Sequence, residues 1–163
     1  HGTSVPVGIV PGDAVEKVRK EDIVRLAQIG VGFVSLYAHH TPAWLLEERR
    51  LAKMIAVDGS YSNDRVSDLL HLDFDVLEAS CVHPDQYGKP LNTSDLAAYA
   101  GLSRLSSKPV VVPTQKRILP EDLGAPKKTG VKGLMIGAVV AGTSPDTFHE
   151  AILQFRKTID AMV

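Results

Sequence analysis

Three side chains that can transfer protons or bind a cation stand at the ends of successive apolar runs. His39 follows the run 33–38, Asp58 follows 54–57, and Glu78 lies within 76–79. Imidazole and carboxylate groups serve as general bases, as orienting partners and as ligands for divalent cations. The sequence therefore predicts His39, Asp58 and Glu78 as acid–base groups, with Asp58 and Glu78 as ligands of a divalent metal cofactor. The structural alternative is that Asp58 caps a tight turn and Glu78 pairs with a neighbouring cation.

A fourth catalytic candidate, Lys116, follows the most apolar of these runs. The segment "PVVVPTQKR" turns polar at Thr114 and continues with Gln115, Lys116 and Arg117. A lysine that ends a buried strand carries its charge at a high desolvation cost, which suits either Schiff-base chemistry or contact with a phosphate. We therefore predict Lys116 as a catalytic residue and Gln115 as a ligand-binding residue.

The turn 137–144 is rich in small residues and precedes the longest predicted helix. Small residues allow backbone amides to approach a ligand, and the helix amino end adds partial positive charge. Gly137, Gly142 and Thr143 are thus predicted to bind the phosphate of a ligand. In the purely structural alternative, Gly142 makes a tight turn and Ser144 caps the helix.

The elements that must position these residues alternate between apolar runs and amphipathic segments. The apolar runs do not alternate with polar residues, which is typical of strands covered on both faces in a parallel sheet. Helical spacing of apolar residues predicts helices between them, and Pro126 should keep the helix after Pro120 short or broken. The predicted strands are 5–10, 33–38, 54–57, 76–79, 110–112 and 133–140, and the clearest predicted helices are 21–29, 43–53, 94–105 and 145–162.

The last third of the chain resembles the end of the phosphate-binding (βα)8-barrel superfamily. The resemblance lies in "KPVVVPTQKRILPEDL" and "TGVKGLMIGAVVAGTSPDTFHEA", within residues 108–162. In that superfamily the penultimate strand ends in a polar loop, and the final strand has the pattern apolar-apolar-Gly-small before a closing helix. This resemblance implies an α/β fold of repeated βα units, most simply an incomplete or truncated TIM-type barrel. A doubly wound six-stranded open sheet is the alternative, because eight βα units typically need about 250 residues.

The implied function is that of an enzyme acting on a small phosphorylated metabolite. Lyase, aldolase or isomerase chemistry would take place at the carboxyl ends of the strands, where parallel α/β folds bind their ligands. The alternative is a non-enzymatic ligand-binding or regulatory domain. An incomplete barrel also leaves open sheet edges, so we expect a homo-oligomer or association with another chain.

Bulk properties limit the other classes of partner. The 163 residues suit one α/β domain over 1–163, and the first residue, His1, leaves open that N-terminal βα units precede it. A net charge of −1 gives no field for nucleic acid or anionic membranes, and we expect neither as a partner. The single cysteine, Cys81, and the lack of a signal-peptide pattern lead us to expect a cytoplasmic protein.

Overall fold

All six strands form one parallel sheet in the computed structural model, which describes residues 5–162. Each strand pairs with the next one along the chain, in the order β1-β2-β3-β4-β5-β6. The strands are β1 Gly8–Ile9, β2 Phe33–Tyr37, β3 Ala52–Val57, β4 Val76–Ala79, β5 Val110–Pro113 and β6 Gly133–Met135. The predicted parallel sheet of βα units is therefore confirmed.

The strand order and the curvature of the sheet identify an incomplete TIM-type barrel. A doubly wound sheet reverses its strand order at a switch point, whereas this order never reverses. The sheet also curls, since Gly8 in β1 and Met135 in β6 line the same cavity although they lie at opposite ends of the strand order. The doubly wound alternative is therefore wrong.

Successive side chains of each strand point alternately to the helices and to the concave face. Ile55, Leu77 and Val112 point to the helices and form the main core together with Tyr99 of the third α-helix. The concave face receives the residues between them, including Glu78 in β4. The fold thus separates an apolar layer that stabilises it from a concave face that can bind a ligand.

The helices connect consecutive strands and cover the convex side. The α-helices are α1 Lys20–Gln28, α2 Asn63–Leu70, α3 Thr93–Leu105, α4 Gly124–Lys128, α5 Ala138–Ala141 and α6 Pro145–Ala161. Asn92 and Asp95 form a capping box at the start of α3, which satisfies backbone amides that a helix leaves unpaired. Among residues 5–162, no helix combines the length and apolar character that crossing a bilayer requires.

One predicted helix, 43–53, is wrong. Only a 3-10 helix forms there, over Ala43–Glu47, and β3 already begins at Ala52. Leu45 and Leu51 are both buried in the apolar cluster beside β2. Leu45 lies in the 3-10 helix and Leu51 directly precedes β3, so their helix-like spacing reflects burial and not an α-helix. Pairing of β3 with β2 along five residues takes precedence over helix propensity.

Three other boundaries differ from the sequence prediction or refine it. The predicted strand 133–140 ends at Met135, and a helical turn, α5, follows Gly137. The helix α2 was not predicted, and strand β1 covers only part of 5–10. The predicted break after Pro120 is confirmed, because a short 3-10 helix leads directly into the five-residue α4, which contains Pro126.

Candidate functional site

Glu78 is a buried carboxyl on the concave face of the sheet. Its side chain accepts a hydrogen bond from the Ser35 hydroxyl, with 2.9 Å between Oγ and Oε2, and the residue is 8% exposed. Burial raises the pKa of Glu78, and the Ser35 hydrogen bond opposes that rise only in part. A carboxyl in this state exchanges its proton closer to neutral pH than an exposed one does.

A cavity of about 410 Å³ opens in front of this carboxyl. Its wall includes Ser35 and Tyr37 of β2, Ala56 of β3 and Glu78 of β4, and we call it the Glu78 cavity. Strand register sets Ala56 between Tyr37 and Glu78. Because the Ala56 side chain is small, the Ser35 hydroxyl can reach across β3 to Glu78.

A chain of hydroxyl and amide groups continues along the same face. The Tyr37 and Ser80 hydroxyl oxygens are 2.7 Å apart. Gln115 Nε2 donates to Ser80 Oγ at 2.7 Å and to Tyr87 Oη at 2.6 Å, and its Oε1 accepts from the Val82 amide at 3.2 Å. We call Tyr37, Ser80, Tyr87 and Gln115 the hydroxyl network.

The loop that carries Tyr87 is tied to the chain that follows β5. The Gly88 amide donates to the Gln115 carbonyl at 2.9 Å, and the Arg117 amide donates to the Lys89 carbonyl at 3.0 Å. Pro90 and Arg117 form a parallel bridge in the same stretch. Tyr87, which is 43% exposed, is thereby held over the strand ends by backbone bonds on both sides of Gln115.

His39 and Asp58 line a second cavity, of about 600 Å³, which also receives Tyr37 and Tyr87. We call it the Asp58 cavity. His39 Nδ1 and Asp58 Oδ2 are 3.9 Å apart, and the imidazole stacks on the Tyr37 ring. Hydrogen bonding from the Ser60 hydroxyl lowers the pKa of Asp58, so its carboxylate is ionised and engaged in the turn that follows β3.

The predicted set of His39, Asp58 and Glu78 is therefore divided between neighbouring cavities. His39 and Asp58 face the Asp58 cavity, whereas Glu78 faces the Glu78 cavity. Tyr37 and His40 line both cavities, so the two cavities adjoin at these residues.

The two predicted ligands of the divalent metal, Asp58 and Glu78, do not lie together in one cavity. Within residues 5–162, no three His, Cys, Asp or Glu side chains cluster as metal ligands. Asp58 is occupied by Ser60 and Glu78 by Ser35, in separate cavities.

Lys116 lies on the helix side of the sheet. It is 1% exposed, and its ammonium is 3.3 Å from Asp95 Oδ2 at the start of α3. The same carboxylate oxygen accepts from the Asn92 amide at 2.9 Å. Lys116 thus joins the strand end to the α3 cap, and it does not reach toward Gly137 as the sequence had suggested.

The residues predicted to bind phosphate are separated by α5. The Gly137 amide donates to Thr114 Oγ1 at 2.8 Å, whereas Gly142 and Thr143 lie beyond α5. Gly142 has a φ of +71°, and a Cβ there would lie 2.9 Å from Thr147 Oγ1. Ser144 caps α6 by accepting from the Thr147 amide, so the capping and tight-turn roles weighed as an alternative are both present.

Sequence reasoning did not single out Ser35, Tyr37, Ser80 or Tyr87 as site residues. Ser35, Tyr37 and Ser80 could have been found from their spacing, because polar side chains two residues apart within an apolar strand share one face. Ser35 and Tyr37 have this spacing, and so do Glu78 and Ser80. Tyr87 lies in a loop, where no periodicity could indicate its direction.

Comparison of the whole chain with known proteins gives structural matches alone. No protein-family model matches the sequence, and no curated protein is significantly similar to it. A mandelate racemase/muconate lactonizing family protein from Azoarcus sp. EbN1 is similar in structure, with 21% identity and a TM-score of 0.64. The match covers 94% of this chain and 42% of that one.

Two further structures show the same fold. An enolase from Bradyrhizobium, complexed with magnesium and mandelic acid, matches 96% of this chain and 44% of its own, with 14% identity and a TM-score of 0.63. A mutant tryptophan synthase α-subunit from Pyrococcus furiosus matches 97% of this chain and 66% of its own, with 13% identity and a TM-score of 0.67. The chain thus spans less than half of the first two proteins. At these identities the likeness supports a TIM-barrel-type fold.

Proposed function

We propose that this chain forms part of an enzyme that moves a proton to or from a carbon next to a carbonyl group. Isomerases and lyases that need no redox step catalyse reactions of this type. The observation that carries the proposal is Glu78, a carboxyl with a raised pKa that faces an open cavity on the concave face of a parallel sheet. Ligands of parallel α/β folds bind toward the carboxyl ends of the strands, and Glu78 is the third of the four residues of β4.

In this mechanism Glu78 accepts the proton in its ionised form and returns it in its neutral form. Ser35 donates to one carboxyl oxygen and thereby orients the group. The other oxygen, Oε1, is the atom that faces the ligand. Because burial raises the pKa, the carboxylate is a stronger base than an exposed one, and its acid form persists closer to neutral pH.

The structural neighbours support the fold, and they support an enzymatic function for this chain. Proteins described as a racemase/lactonizing family member and as an enolase share this fold at 21% and 14% identity. Folds of this type support many reactions. The reaction class proposed for this chain therefore rests on Glu78 and its surroundings.

Deuterium exchange tests the proposal without a named substrate. Wild-type protein is incubated in D₂O with a panel of 2-hydroxy acids, 2-oxo acids and sugar phosphates, and loss of the α-proton signal is followed by ¹H NMR. We expect at least one compound to exchange, and Glu78→Gln to slow that exchange by about 10²- to 10⁴-fold, the usual contribution of a general base. The control, Glu47→Gln, changes an exposed glutamate on the 3-10 helix before β3. Exchange at the wild-type rate in Glu78→Gln would refute the role of Glu78.

A phosphorylated ligand remains part of the proposal, with Gly137 as its centre. The first amides of a helical turn have no intrahelical partner, and those of Ala138 and Val139 follow Gly137 directly. Inorganic phosphate titrated into ¹⁵N-labelled protein should shift these two amide signals and saturate. Shifts confined to residues outside 137–144 would contradict a phosphate site at this turn.

We also propose that the open sheet edges associate, with a second copy of this chain or with another chain. Within residues 5–162, β1 and β6 are the two ends of the strand order, so each has one unpaired edge there. Apolar side chains are exposed near both edges, including Val7 and Ile9 beside β1 and Phe148 and Ile152 on α6. Exposed edges and apolar surface favour association.

A further inference from the structure

The hydrogen-bond directions in the hydroxyl network are fixed by Gln115. Its Oε1 accepts from the Val82 amide, so its Nε2 must be the donor on the other side. Both hydrogens of Nε2 are donated, one to Ser80 and one to Tyr87. Each of these hydroxyls is therefore an acceptor toward Gln115 and keeps its own proton for a different acceptor.

The hydroxyl network has at least one hydroxyl proton that its own acceptors do not use. Tyr37, Ser80 and Tyr87 carry three hydroxyl protons. The Tyr37–Ser80 contact uses one of them, and the Tyr37 hydroxyl also neighbours that of Tyr87, a contact that uses at most one more. At least one proton is left without an acceptor among residues 5–162, and Tyr37, Ser80 and Tyr87 all line the Asp58 cavity.

The Tyr87 hydroxyl stays protonated at neutral pH. Burial raises the pKa of Tyr87, the neighbouring Tyr37 raises it further, and the Gln115 hydrogen bond lowers it only in part. A phenol that does not ionise in this range acts as a neutral hydrogen-bond donor. Such donors stabilise an oxygen on which negative charge develops.

The geometry points to an oxyanion-binding subsite at the neighbouring Tyr37 and Tyr87 hydroxyls, with Gln115 as the positioning residue that holds the Tyr87 hydroxyl by donating to its oxygen. The inference rests on the proposed function. The subsite binds the substrate oxygen that becomes negative when Glu78 removes the proton from the neighbouring carbon. Tyr37 lines both cavities and so connects the subsite with Glu78. The substrate class is a small compound with a carbonyl or carboxylate oxygen next to an acidic C–H. The proton passes from carbon to Glu78, the electron pair of the C–H bond forms a carbon–carbon double bond, and the π pair of the carbonyl group becomes the charge on that oxygen.

Oxalate is the probe that tests the subsite, since it is a planar dianion that resembles an enolate beside a carboxylate. Its Kd is measured by isothermal titration calorimetry for the wild type and for Tyr37→Phe, Tyr87→Phe and Gln115→Met. We expect saturable binding by the wild type and a loss of about tenfold in each variant, as for a hydrogen bond to a charged group. Tyr61→Phe is the matched control, because within residues 5–162 the Tyr61 hydroxyl makes no hydrogen bond and lies outside both cavities. Its Kd should equal that of the wild type.

The positioning role of Gln115 has its own readout. In protein labelled with ¹³C at tyrosine Cζ, Gln115→Met should raise the titration midpoint of Tyr87, because the variant removes the N–H donor that lowers this pKa. A purely structural role for Gln115 would leave that midpoint unchanged. An unchanged Tyr87 midpoint, or an oxalate Kd that is the same in all variants, would overturn the inference.

The Glu78→Gln variant separates this inference from the proposed function. It should bind oxalate at least as tightly as the wild type, because it removes a negative charge near the dianion. If Glu78→Gln retains deuterium exchange while the tyrosine variants still lose oxalate, the proton-transfer function fails and the subsite stands. If Glu78→Gln itself abolishes oxalate binding, the hydroxyl network is not the subsite.

Discussion

Asp58 and Glu78 are carboxyls that follow neighbouring strands, yet their surroundings shift their pKa values in opposite directions. Asp58 is partly exposed and accepts from Ser60, which lowers its pKa, whereas burial raises the pKa of Glu78. Opposite shifts in neighbouring carboxyls commonly separate a group that stays ionised from one that exchanges protons. Glu78 is for this reason the stronger acid–base candidate of the two.

The raised pKa of Glu78 predicts a pH-dependent stability. A carboxyl that ionises less readily in the folded state than in the unfolded state binds more protons when folded, so stability decreases as pH rises above its ordinary pKa of 4.5. Glu78→Gln keeps an acceptor for Ser35 and removes the ionisation. We expect the Tm of Glu78→Gln to exceed that of the wild type, by a margin that grows from pH 4 toward neutral pH.

Differential scanning calorimetry at several pH values measures this margin. Glu47→Gln, at an exposed position, should show no such trend. A margin that shrinks as pH rises would mean that the pKa of Glu78 is lowered in the folded protein.

At the scale of elements, Lys116 and Arg117 are adjacent cations with different surroundings. Lys116 is buried against Asp95 at the α3 cap, whereas Arg117 is exposed. Removing one partner of a buried ion pair leaves the other charge without compensation. The two positions therefore form a matched pair for mutagenesis.

We expect Lys116→Met to lower the free energy of unfolding by about 3 to 5 kcal/mol, the range for a broken buried pair. Arg117→Met should change it by less than about 0.5 kcal/mol, as is usual for exposed sites. Urea denaturation measures both values. A loss of deuterium exchange in Lys116→Met at unchanged stability would instead support the catalytic role predicted from sequence.

The two glycines around α5 should also differ in stability effects. Gly142 has a positive φ and would place a Cβ against Thr147, whereas Gly137 has an extended φ of −118° and would place a Cβ 3.6 Å from Thr114 Oγ1, an ordinary contact. We expect Gly142→Ala to cost about 1 to 2 kcal/mol of unfolding free energy and Gly137→Ala clearly less. Equal costs in urea denaturation would contradict this conformational difference.

Sequence periodicity predicted the parallel strands well, and it predicted their side-chain directions less well. The runs around Val57, Leu77 and Val112 were recognisable because their apolar side chains pack under helices. Ser35 and Tyr37 lie two residues apart within an apolar run, and this spacing was the signal that they share one face. The direction of Lys116 could not be deduced, since it depends on where the α3 cap lies in space.

At the scale of the whole molecule, a six-stranded curled sheet leaves two edges and a concave face open. Closed TIM barrels have eight strands and no edges. The three structural neighbours named above are longer, and this chain covers 42% to 66% of their lengths. Two open edges beside exposed apolar side chains favour pairing with a further strand-bearing segment.

We therefore expect the isolated chain to associate. Size-exclusion chromatography with light scattering should give a mass above the 17.6 kDa of one chain, increasing with concentration. Ile9→Lys, at an edge strand, should reduce the association because charged edge residues oppose strand pairing. A constant monomer mass at all concentrations would contradict association between copies.

The titration of the Glu78 carboxyl tests the proposed chemistry most directly. Protein labelled with ¹³C at glutamate Cδ is titrated by NMR with and without oxalate, and Glu78→Gln assigns the signal. We expect a midpoint above 4.5 in the free protein and a higher midpoint with oxalate bound, because a nearby negative charge opposes ionisation. A midpoint at or below 4.5, or one that oxalate does not change, would contradict a proton-transfer site at Glu78.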